Sequence, residues 1–234
     1  MISKTQGAKF IYSGVDFGNV EYRYSTKALA EKNIANLLHQ FGDDFKLVEI
    51  DTHHSDQIKL INEIPDDPKI NCDGIITNRR KLAIALYAAD CLPLIIASDK
   101  IPLLGLIHIG TAGANLGIHK KAVKLATKNY EINVKDLKFY LGPHIKKKSY
   151  MHSELYQERF TDKLWSKYIS KSNSHYFIDL TGFVTEGLVE VGIPRSNITI
   201  SSVDTGSNAK YFSHRRSSTT GETEGRNGFM CALI

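Results

Sequence analysis

Four short apolar segments follow one another within about forty residues, and they constrain the fold more than any other feature of the chain. They read GIITN, KLAIALYAA, LPLIIAS and PLLGLIHIG. Their composition, rich in isoleucine, leucine and alanine, predicts β-strands. Their continuous apolar character indicates strands that are covered on both faces. We therefore expect a sheet that is buried between other layers.

Segments with helical periodicity surround these strands. Spacing and capping predict helices over 25–42, 118–130, 153–169 and 180–194, the first with Ser25 as its N-cap and Gly42 at its end. Further strand candidates are KFIYSG, FKLVEID, QIKLINEI, LKFYLGP, NITISSVD and NGFMCALI. No repeat, low-complexity segment or flexible linker interrupts the chain. The sequence therefore predicts one α+β domain over residues 1–234.

Charge and composition exclude several classes of protein. The 234 residues carry a formal charge of +5, but the basic residues are dispersed, which does not indicate a nucleic-acid interface. The three cysteines cannot form a disulfide framework, and no apolar signal core begins the sequence. Asp99 and Lys100 interrupt the longest apolar stretch, so it cannot cross a bilayer. We expect a cytoplasmic protein with no membrane partner.

An acid and a thiol, Asp90 and Cys91, stand between two apolar strands, where an uncompensated carboxylate is costly to bury. Cys91 follows one strand, His108 ends another, and His54 lies in a turn between two strands. A thiolate and two imidazoles would suit Zn²⁺ and leave a fourth position open, as in catalytic sites. Asp90 could then orient a ligating imidazole or move a proton. This spacing is not a local zinc signature, and each residue alone could be structural.

Two further segments could bind an anion. GTAGANLG, which includes Gly110, follows a strand and precedes a helix, so its amides could hold a phosphate. No Lys-Ser/Thr pair follows, which excludes a nucleotide P-loop. SHRRSSTTGETEGR contains Arg215, Arg216 and Arg226, whose guanidinium groups fit phosphate or carboxylate. A plain glycine-rich turn and a solvated basic loop are the structural alternatives for these segments.

Taken together, these motifs resemble a known family. DTHHSDQI, CDGIITN, AADCLP, GLIHIGTAGA, YLGPHI, DLTGFVTEGL and YFSHRR…EGR occur in the order and spacing of the YfiH-like family. This family is also called the laccase-domain or multicopper polyphenol oxidase family, and its members are often described as purine nucleoside phosphorylases. The resemblance covers nearly the whole chain. It implies an α+β fold in which mixed sheets pack together with helices outside.

The resemblance also implies a site and an activity. The family's zinc ligands fall on His54, Cys91 and His108, the same three residues that the strand ends indicate. His54 rather than His53 matches, because the family's ligand precedes a small residue and an acid. The implied reaction is phosphorolysis of adenosine, inosine and methylthioadenosine, with adenosine deamination as a second activity. The expected partners are nucleoside and phosphate, and the protein is expected to be a monomer or homodimer.

Some positions depart from the family pattern. Thr111, Ala112 and Gly113 occupy the places of a usual Trp-Arg-Gly after the HxG motif. An arginine near the metal is therefore missing. Ser149 stands where many members have cysteine, Thr52 where many have glutamine, and TTGETEGR is longer than the usual TGR. The metal ligands are retained, whereas the substrate contacts are altered.

Three alternative functions remain open. Cys91 could be a nucleophile with His108 as its base, in an amidase acting on cell-wall precursors, since the resemblance extends to peptidoglycan editing. A copper polyphenol oxidase could use Cys and two His at one centre, but it needs further coppers and the chain has no His-x-His motif. Copper is accordingly the alternative metal to zinc. A non-enzymatic nucleotide-binding role is the third alternative, because the Trp-Arg pair is absent.

Overall fold

The computed structural model describes residues 2–5, 7–155, 160 and 163–234. The helices in this part of the chain are α1 (Lys27–His39), α2 (Thr111–Asn115), α3 (Ile118–Tyr130), α4 (Leu180–Glu190) and α5 (His214–Thr220). The strands are β1 (Ile2–Thr5), β2 (Ala8–Tyr12), β3 (Lys46–Asp51), β4 (Ile58–Leu60), β5 (Lys69–Asn71), β6 (Gly74–Thr77), β7 (Leu82–Ala88), β8 (Leu92–Ser98), β9 (Leu104–Ile109), β10 (Leu137–Leu141), β11 (Met151–His152), β12 (Ile169–Ser172), β13 (His175–Ile178), β14 (Ile198–Ile200) and β15 (Asn227–Leu233).

Two six-stranded mixed sheets form the centre of the molecule. The first has the order β1-β2-β15-β7-β3-β5, in which β3 runs parallel to β5 and β7. The second has the order β14-β10-β8-β9-β6-β4, in which β10 is parallel to β14 and β4 is parallel to β6. A separate three-stranded antiparallel sheet has the order β11-β13-β12. The α+β class predicted from the sequence is confirmed.

The apolar residues form a layered core. Between the two large sheets lies a cluster that draws on both, including Phe10, Leu86, Ile75, Ile95 and Leu106. Helix α1 covers the outer face of the first sheet through Leu37, which packs near Met230. Helices α3 and α4 cover the outer face of the second sheet. Because both faces of the central strands are covered, their sequences are apolar without alternation.

Local sequence signals explain where the helices begin. The Thr26 hydroxyl accepts a hydrogen bond from the backbone N–H of Leu29, and the Asp179 carboxylate accepts one from Gly182, so each caps the helix that follows. The N-cap of α1 is therefore Thr26, and the prediction of Ser25 was wrong by one residue. The helix ends at His39, three residues before Gly42. The predicted helix over 118–130 corresponds to α3, and the one over 180–194 begins as predicted but ends at Glu190, four residues before its predicted end.

The predicted helix over 153–169 is wrong at its described end. Residues 163–165 form a short 3-10 turn, and β12 begins at Ile169. Residues 156–159 and 161–162 lie outside the described part of the chain. Of the apolar residues that suggested a helical stripe, Phe160 is buried and Leu155 and Tyr168 pack against the same cluster, whereas Leu164 is exposed and its neighbour Trp165 is buried instead. At the described end of the segment, the apolar residues therefore reflect burial rather than a helical stripe.

Two further findings bear on the class of protein. Cys72, Cys91 and Cys231 are all free, in agreement with the prediction that they form no disulfide framework. Among the described residues, no helix has both the length and the apolar character needed to span a membrane.

Candidate metal centre

Three loops and strand ends bring one cysteine and two histidines together. His54 lies between β3 and β4, Cys91 follows β7, and His108 lies near the end of β9. One ligand atom from each residue lies within 4.8 Å of the others. The Sγ of Cys91 is 3.9 Å from Nε2 of His54, and the two imidazole rings stand edge to face at 4.8 Å. The three residues predicted as ligands are therefore close enough to contact one common atom.

A buried carboxylate, Asp73, organises two of these residues. Its side chain is fully buried and accepts a hydrogen bond from Nδ1 of His108 at 2.8 Å. It also accepts the backbone N–H groups of residues 53–55 and the hydroxyl of Ser55. Burial by itself raises the pKa of Asp73, but the hydrogen bonds from His108 and Ser55 outweigh it and hold the pKa far below its usual range. Asp73 therefore stays ionised.

The same hydrogen bonds support an unusual backbone conformation. His54 has a φ of +58°, a left-handed conformation that few residues other than glycine adopt. Such conformations persist where surrounding contacts hold them, and they concentrate at functional sites. Here, the Asp73 carboxylate receives the N–H groups on either side of the turn, which fixes the direction of the His54 side chain.

The electrostatics of the group favour a thiolate. Burial opposes ionisation of Cys91, but the proximity of His108 and hydrogen bonds from both histidines lower the pKa of the thiol to about 6. Burial likewise lowers the pKa of His108, and the Cys91 thiolate together with Asp73 raises it above its usual value. Without a metal, both shifts favour a thiolate on Cys91 and an imidazolium on His108.

The donor set fits a zinc ion. A thiolate and two imidazoles are ligands that Zn²⁺ prefers, and three protein ligands leave one position open. Because Asp73 holds Nδ1 of His108, its Nε2 is the nitrogen left for a metal. A carboxylate behind a ligating histidine is the usual support for such a ligand, since it fixes the ring and its tautomer. The Cys91–His54–His108 group could therefore hold a metal ion.

Asp90 does not occupy the imidazole-orienting position that was predicted for it. Its carboxylate accepts hydrogen bonds from the hydroxyls of Thr205 and Ser213 and from the backbone N–H of Arg215. These contacts tie the turn after β7 to the start of α5. They also support the φ of +81° at Asp90. Asp73 is the acid that orients His108, so that role for Asp90 was wrong, and its role in proton transfer stays a prediction.

Gly110 leaves space for the centre. A Cβ atom at this position would lie 2.9 Å from Cδ2 of His54 and 3.4 Å from Sγ of Cys91. The φ of Gly110 is −87°, which any residue can adopt, so the restriction is one of room rather than of backbone conformation. It caps α2, which has five residues. The glycine therefore permits His54 and Cys91 to approach the end of β9.

Arg215 and Arg216, both predicted to bind an anion, differ in the partners of their guanidinium groups. Arg216 donates to Glu222 and to the carbonyl oxygens of Thr205, Asn208 and Tyr211, so protein atoms occupy its guanidinium. It lines neither cavity next to the centre, and its predicted role in binding phosphate was wrong.

Arg215 is placed differently. Its Nη2 lies 2.9 Å from Nε2 of His152, and its guanidinium lies over the Tyr150 ring at 5.8 Å. Burial and the charge of Arg215 lower the pKa of His152 to about 4, so this imidazole is neutral and accepts the hydrogen bond. Among the described residues, Nε and Nη1 of Arg215 have no hydrogen-bond partner.

Two cavities share His54 and Cys91, and the larger also reaches His108. The larger, of about 770 Å³, is lined by all three together with residues of α1, β3 and β7. The smaller, of about 330 Å³, is lined by His54, Cys91 and Gly110 and also by Arg215. Thr111 and Ala112, which replace the usual Trp-Arg, also line the smaller cavity. Arg215 therefore brings a cation into the cavity that Thr111 and Ala112 line.

The fold and this site define a known class of protein. Residues 9–233 match the family described as multi-copper polyphenol oxidoreductase laccase, so the chain belongs to that family. The resemblance inferred from the motifs is confirmed.

Individual relatives are similar over most of the chain. The purine nucleoside phosphorylase RP494 of Rickettsia prowazekii is 32% identical over 216 residues, which cover 86% of this chain and 85% of that protein. The human purine nucleoside phosphorylase LACC1 is 29% identical over 61% of this chain and 33% of its own length. The crystal structure of the hypothetical protein YfiH of Bacillus licheniformis superposes with a TM-score of 0.82 at 24% identity and covers 97% of this chain and 92% of that one. The last likeness shows the shared fold.

Proposed function

We propose that this protein is a zinc-dependent purine nucleoside phosphorylase that converts adenosine, inosine or methylthioadenosine and phosphate into free base and ribose 1-phosphate. The observation that carries the proposal is the Cys91–His54–His108 group at the junction of two cavities, one of which contains Arg215. Relatives named purine nucleoside phosphorylases support it.

The two cavities match the two reactants. Phosphorolysis breaks the bond between C1′ of the ribose and the purine nitrogen, and it forms a bond from C1′ to a phosphate oxygen. The reactants must therefore approach the same carbon from opposite sides. The larger cavity has the volume of a typical small-molecule site, and we assign it to the nucleoside.

Arg215 is the residue we assign to phosphate. Its guanidinium is anchored by His152 and Tyr150, and the rest of its donor edge has no partner among the described residues. A fork of N–H donors suits a phosphate oxygen pair. Gly110 lines the same cavity, so an anion in the smaller cavity could contact both Arg215 and the backbone next to Gly110. This arrangement would bring the phosphate to the three metal-binding residues.

Other residues hold the centre during the reaction. Asp73 keeps His108 and the His54 turn in position, and Gly110 leaves room for them. Zinc bound by Cys91, His54 and His108 would supply positive charge that favours the negative charge developing in the transition state. Asp90 positions Arg215 through its backbone N–H, which links the acid at the end of β7 to phosphate binding.

A nucleoside panel assayed with and without phosphate tests the proposal. We expect metal-loaded protein to release base only when phosphate is present, with one ribose 1-phosphate formed for each base. Adenosine deamination is the proposed second activity, and conversion of adenosine to inosine without phosphate would reveal it. Base release that is independent of phosphate, or no change in any nucleoside, would contradict the proposed phosphorylase.

One observation favours a second candidate function, that of an amidase. The lowered pKa of Cys91 and its contact with His108 are features of a cysteine nucleophile paired with a base. An amidase acting on cell-wall precursors would use this pair directly. A chelator would inactivate the phosphorylase, and metal would protect Cys91 from alkylation. An amidase with a free thiolate would show the reverse, because alkylation would inactivate it and a chelator would not.

A further inference from the structure

We propose that Glu49, held in place by the hydroxyl of Tyr87, is the acceptor that recognises the ribose hydroxyls of the nucleoside in the larger cavity. This inference rests on the proposed function. It goes further because it names the part of the nucleoside, the ribose, that a residue of the larger cavity recognises. It concerns a residue pair that the metal centre does not use.

Glu49 and Tyr87 lie on neighbouring parallel strands, β3 and β7. Both side chains line the larger cavity, which also contains Cys91, His54 and His108. The floor of this cavity is the face of the first sheet that α1 covers, and Tyr87 packs against the apolar cluster there. The Glu49–Tyr87 pair therefore shares one cavity with the three predicted metal ligands.

The pair presents a fixed hydrogen-bond acceptor. The hydroxyl of Tyr87 donates to Oε2 of Glu49 at 2.6 Å. Burial and the nearby Glu49 raise the pKa of Tyr87 well above its usual value, so the hydroxyl keeps its proton and remains a donor. Among the described residues, Oε1 of Glu49 has no hydrogen-bond partner. Since a carboxylate oxygen accepts hydrogen bonds, Oε1 is available to a donor from a ligand in the cavity.

Glu49 also differs from the other acids that line the cavity. Each of the others lies within ion-pair distance of a neighbouring cation, as in the pairs Glu21–Arg23, Glu31–Lys27 and Asp51–Lys69. Within the described part of the chain, Glu49 has no such cation. Among the described acids that line this cavity, Glu49 is therefore the one without a lysine or arginine at ion-pair distance.

The chemistry of the substrates selects the ribose as the donor. Adenosine and inosine differ at the purine edge, where adenosine offers an amino group and inosine a ring N–H. Their common donors are the ribose hydroxyls. A carboxylate that accepts from a ribose hydroxyl is a known mode of nucleotide recognition. One acceptor on the sugar would therefore serve both nucleosides, whereas an acceptor for the base would have to adapt to each.

Equilibrium binding tests the inference separately from catalysis. Calorimetry with metal-loaded protein and no phosphate would compare adenosine with 2′-deoxyadenosine and 3′-deoxyadenosine. A hydrogen bond to a charged group is worth about 1.5–3 kcal/mol, which corresponds to a difference of roughly tenfold or more. We expect wild-type protein to bind adenosine about tenfold more tightly than at least one of the deoxynucleosides.

Two matched variants identify the residue responsible. Glu49→Gln should reduce this discrimination at least about fivefold, because it replaces the charged acceptor with a neutral one. Glu31→Gln makes the same change at another acid that lines the cavity, and it should leave the ratio of adenosine to deoxynucleoside affinity unchanged. Tyr87→Phe removes only the hydroxyl that holds Glu49 and should lower the ratio, which keeps the inference testable if Glu49→Gln does not fold.

The outcomes separate this inference from the proposed function. The role of Glu49 would be overturned if Glu49→Gln weakened the binding of all three nucleosides equally, or left the ratio of adenosine to deoxynucleoside affinity unchanged. It would also be overturned if the wild-type protein bound no nucleoside. Discrimination that depends on Glu49, in a protein that does not phosphorolyse any nucleoside, would support ribose recognition and contradict the phosphorylase.

Discussion

Nδ1 of His108 lies 2.8 Å from Oδ1 of Asp73, and the same oxygen receives the backbone N–H of His54. One buried carboxylate therefore connects two of the three predicted metal ligands, which come from different parts of the chain. It sets the ring orientation of His108 and the turn that carries His54. The third residue, Cys91, is held by the separate turn after β7.

Replacing Asp73 with Asn should weaken metal binding without removing a ligand. Loss of the carboxylate behind a ligating histidine costs about 10–100-fold in metal affinity, which chelator competition would measure. Asp56→Asn is the control, because Asp56 pairs with Lys121 at the surface. Unchanged metal affinity in folded Asp73→Asn protein would contradict the role assigned to Asp73.

Gly110→Ala should impair the centre while the fold is retained. The added methyl group would lie 2.9 Å from Cδ2 of His54, closer than carbon atoms approach, so the imidazole must move. The backbone conformation of Gly110 suits alanine, and we therefore expect little change in the unfolding midpoint. Metal titration and turnover should both fall. An alanine variant with wild-type metal affinity and turnover would show that the close approach is not needed.

The two neighbouring arginines should respond differently to alanine substitution. Arg215→Ala should raise the KM for phosphate by about tenfold or more, since a charge-assisted contact is lost, with little effect on stability. Arg216→Ala should lower the free energy of unfolding, because it leaves carbonyl oxygens of the 205–211 segment without their donor. Initial rates at varied phosphate and urea denaturation distinguish the two. A phosphate KM that Arg215→Ala leaves unchanged would contradict our assignment.

His119 should make stability depend on pH. It is fully buried in α3, and neither ring nitrogen has a hydrogen-bond partner among the described residues. Burial and the charge of Lys120 lower its pKa to about 4. Between about pH 6.5 and 4, the unfolded chain binds a proton here that the folded protein does not, so stability falls as the pH falls.

His119→Leu should remove this contribution. Urea denaturation at pH 7 and pH 5 should show a shallower loss of stability than in the wild type, by up to about 1.4 kcal/mol per pH unit. At pH 7 the variant should be no less stable, because two unpaired polar atoms are removed. Parallel pH profiles for the two proteins would contradict this explanation.

The sequence indicated the three predicted metal ligands more readily than the residue that holds them in place. His54, Cys91 and His108 were identifiable because each stands where a strand meets a loop, and the family motifs point to the same residues. Asp73 was missed, although CDGIITN places an acid at the start of an apolar strand. Its partners lie 18–35 residues away along the chain, so only the folded structure brings them to it.

The errors have similar physical causes. Arg216 was predicted to bind anions because its charge is visible in the sequence, whereas its carbonyl partners depend on how the chain turns before α5. The predicted helix over 153–169 relied on apolar spacing, yet Trp165 is buried from a 3-10 turn. Strands such as β8 and β9 were predicted well, since their uniform apolar composition directly reflects burial on both faces.

X-ray absorption at the zinc edge of the purified, metal-loaded protein tests the central claim most directly. We predict a first coordination sphere with one sulfur at about 2.3 Å and two imidazole nitrogens at about 2.0–2.1 Å. The sulfur contribution should be absent in Cys91→Ala and retained in Cys231→Ala, whose thiol lies in the core between the sheets. A wild-type spectrum without sulfur, or one that Cys91→Ala does not change, would contradict a metal centre built from Cys91, His54 and His108.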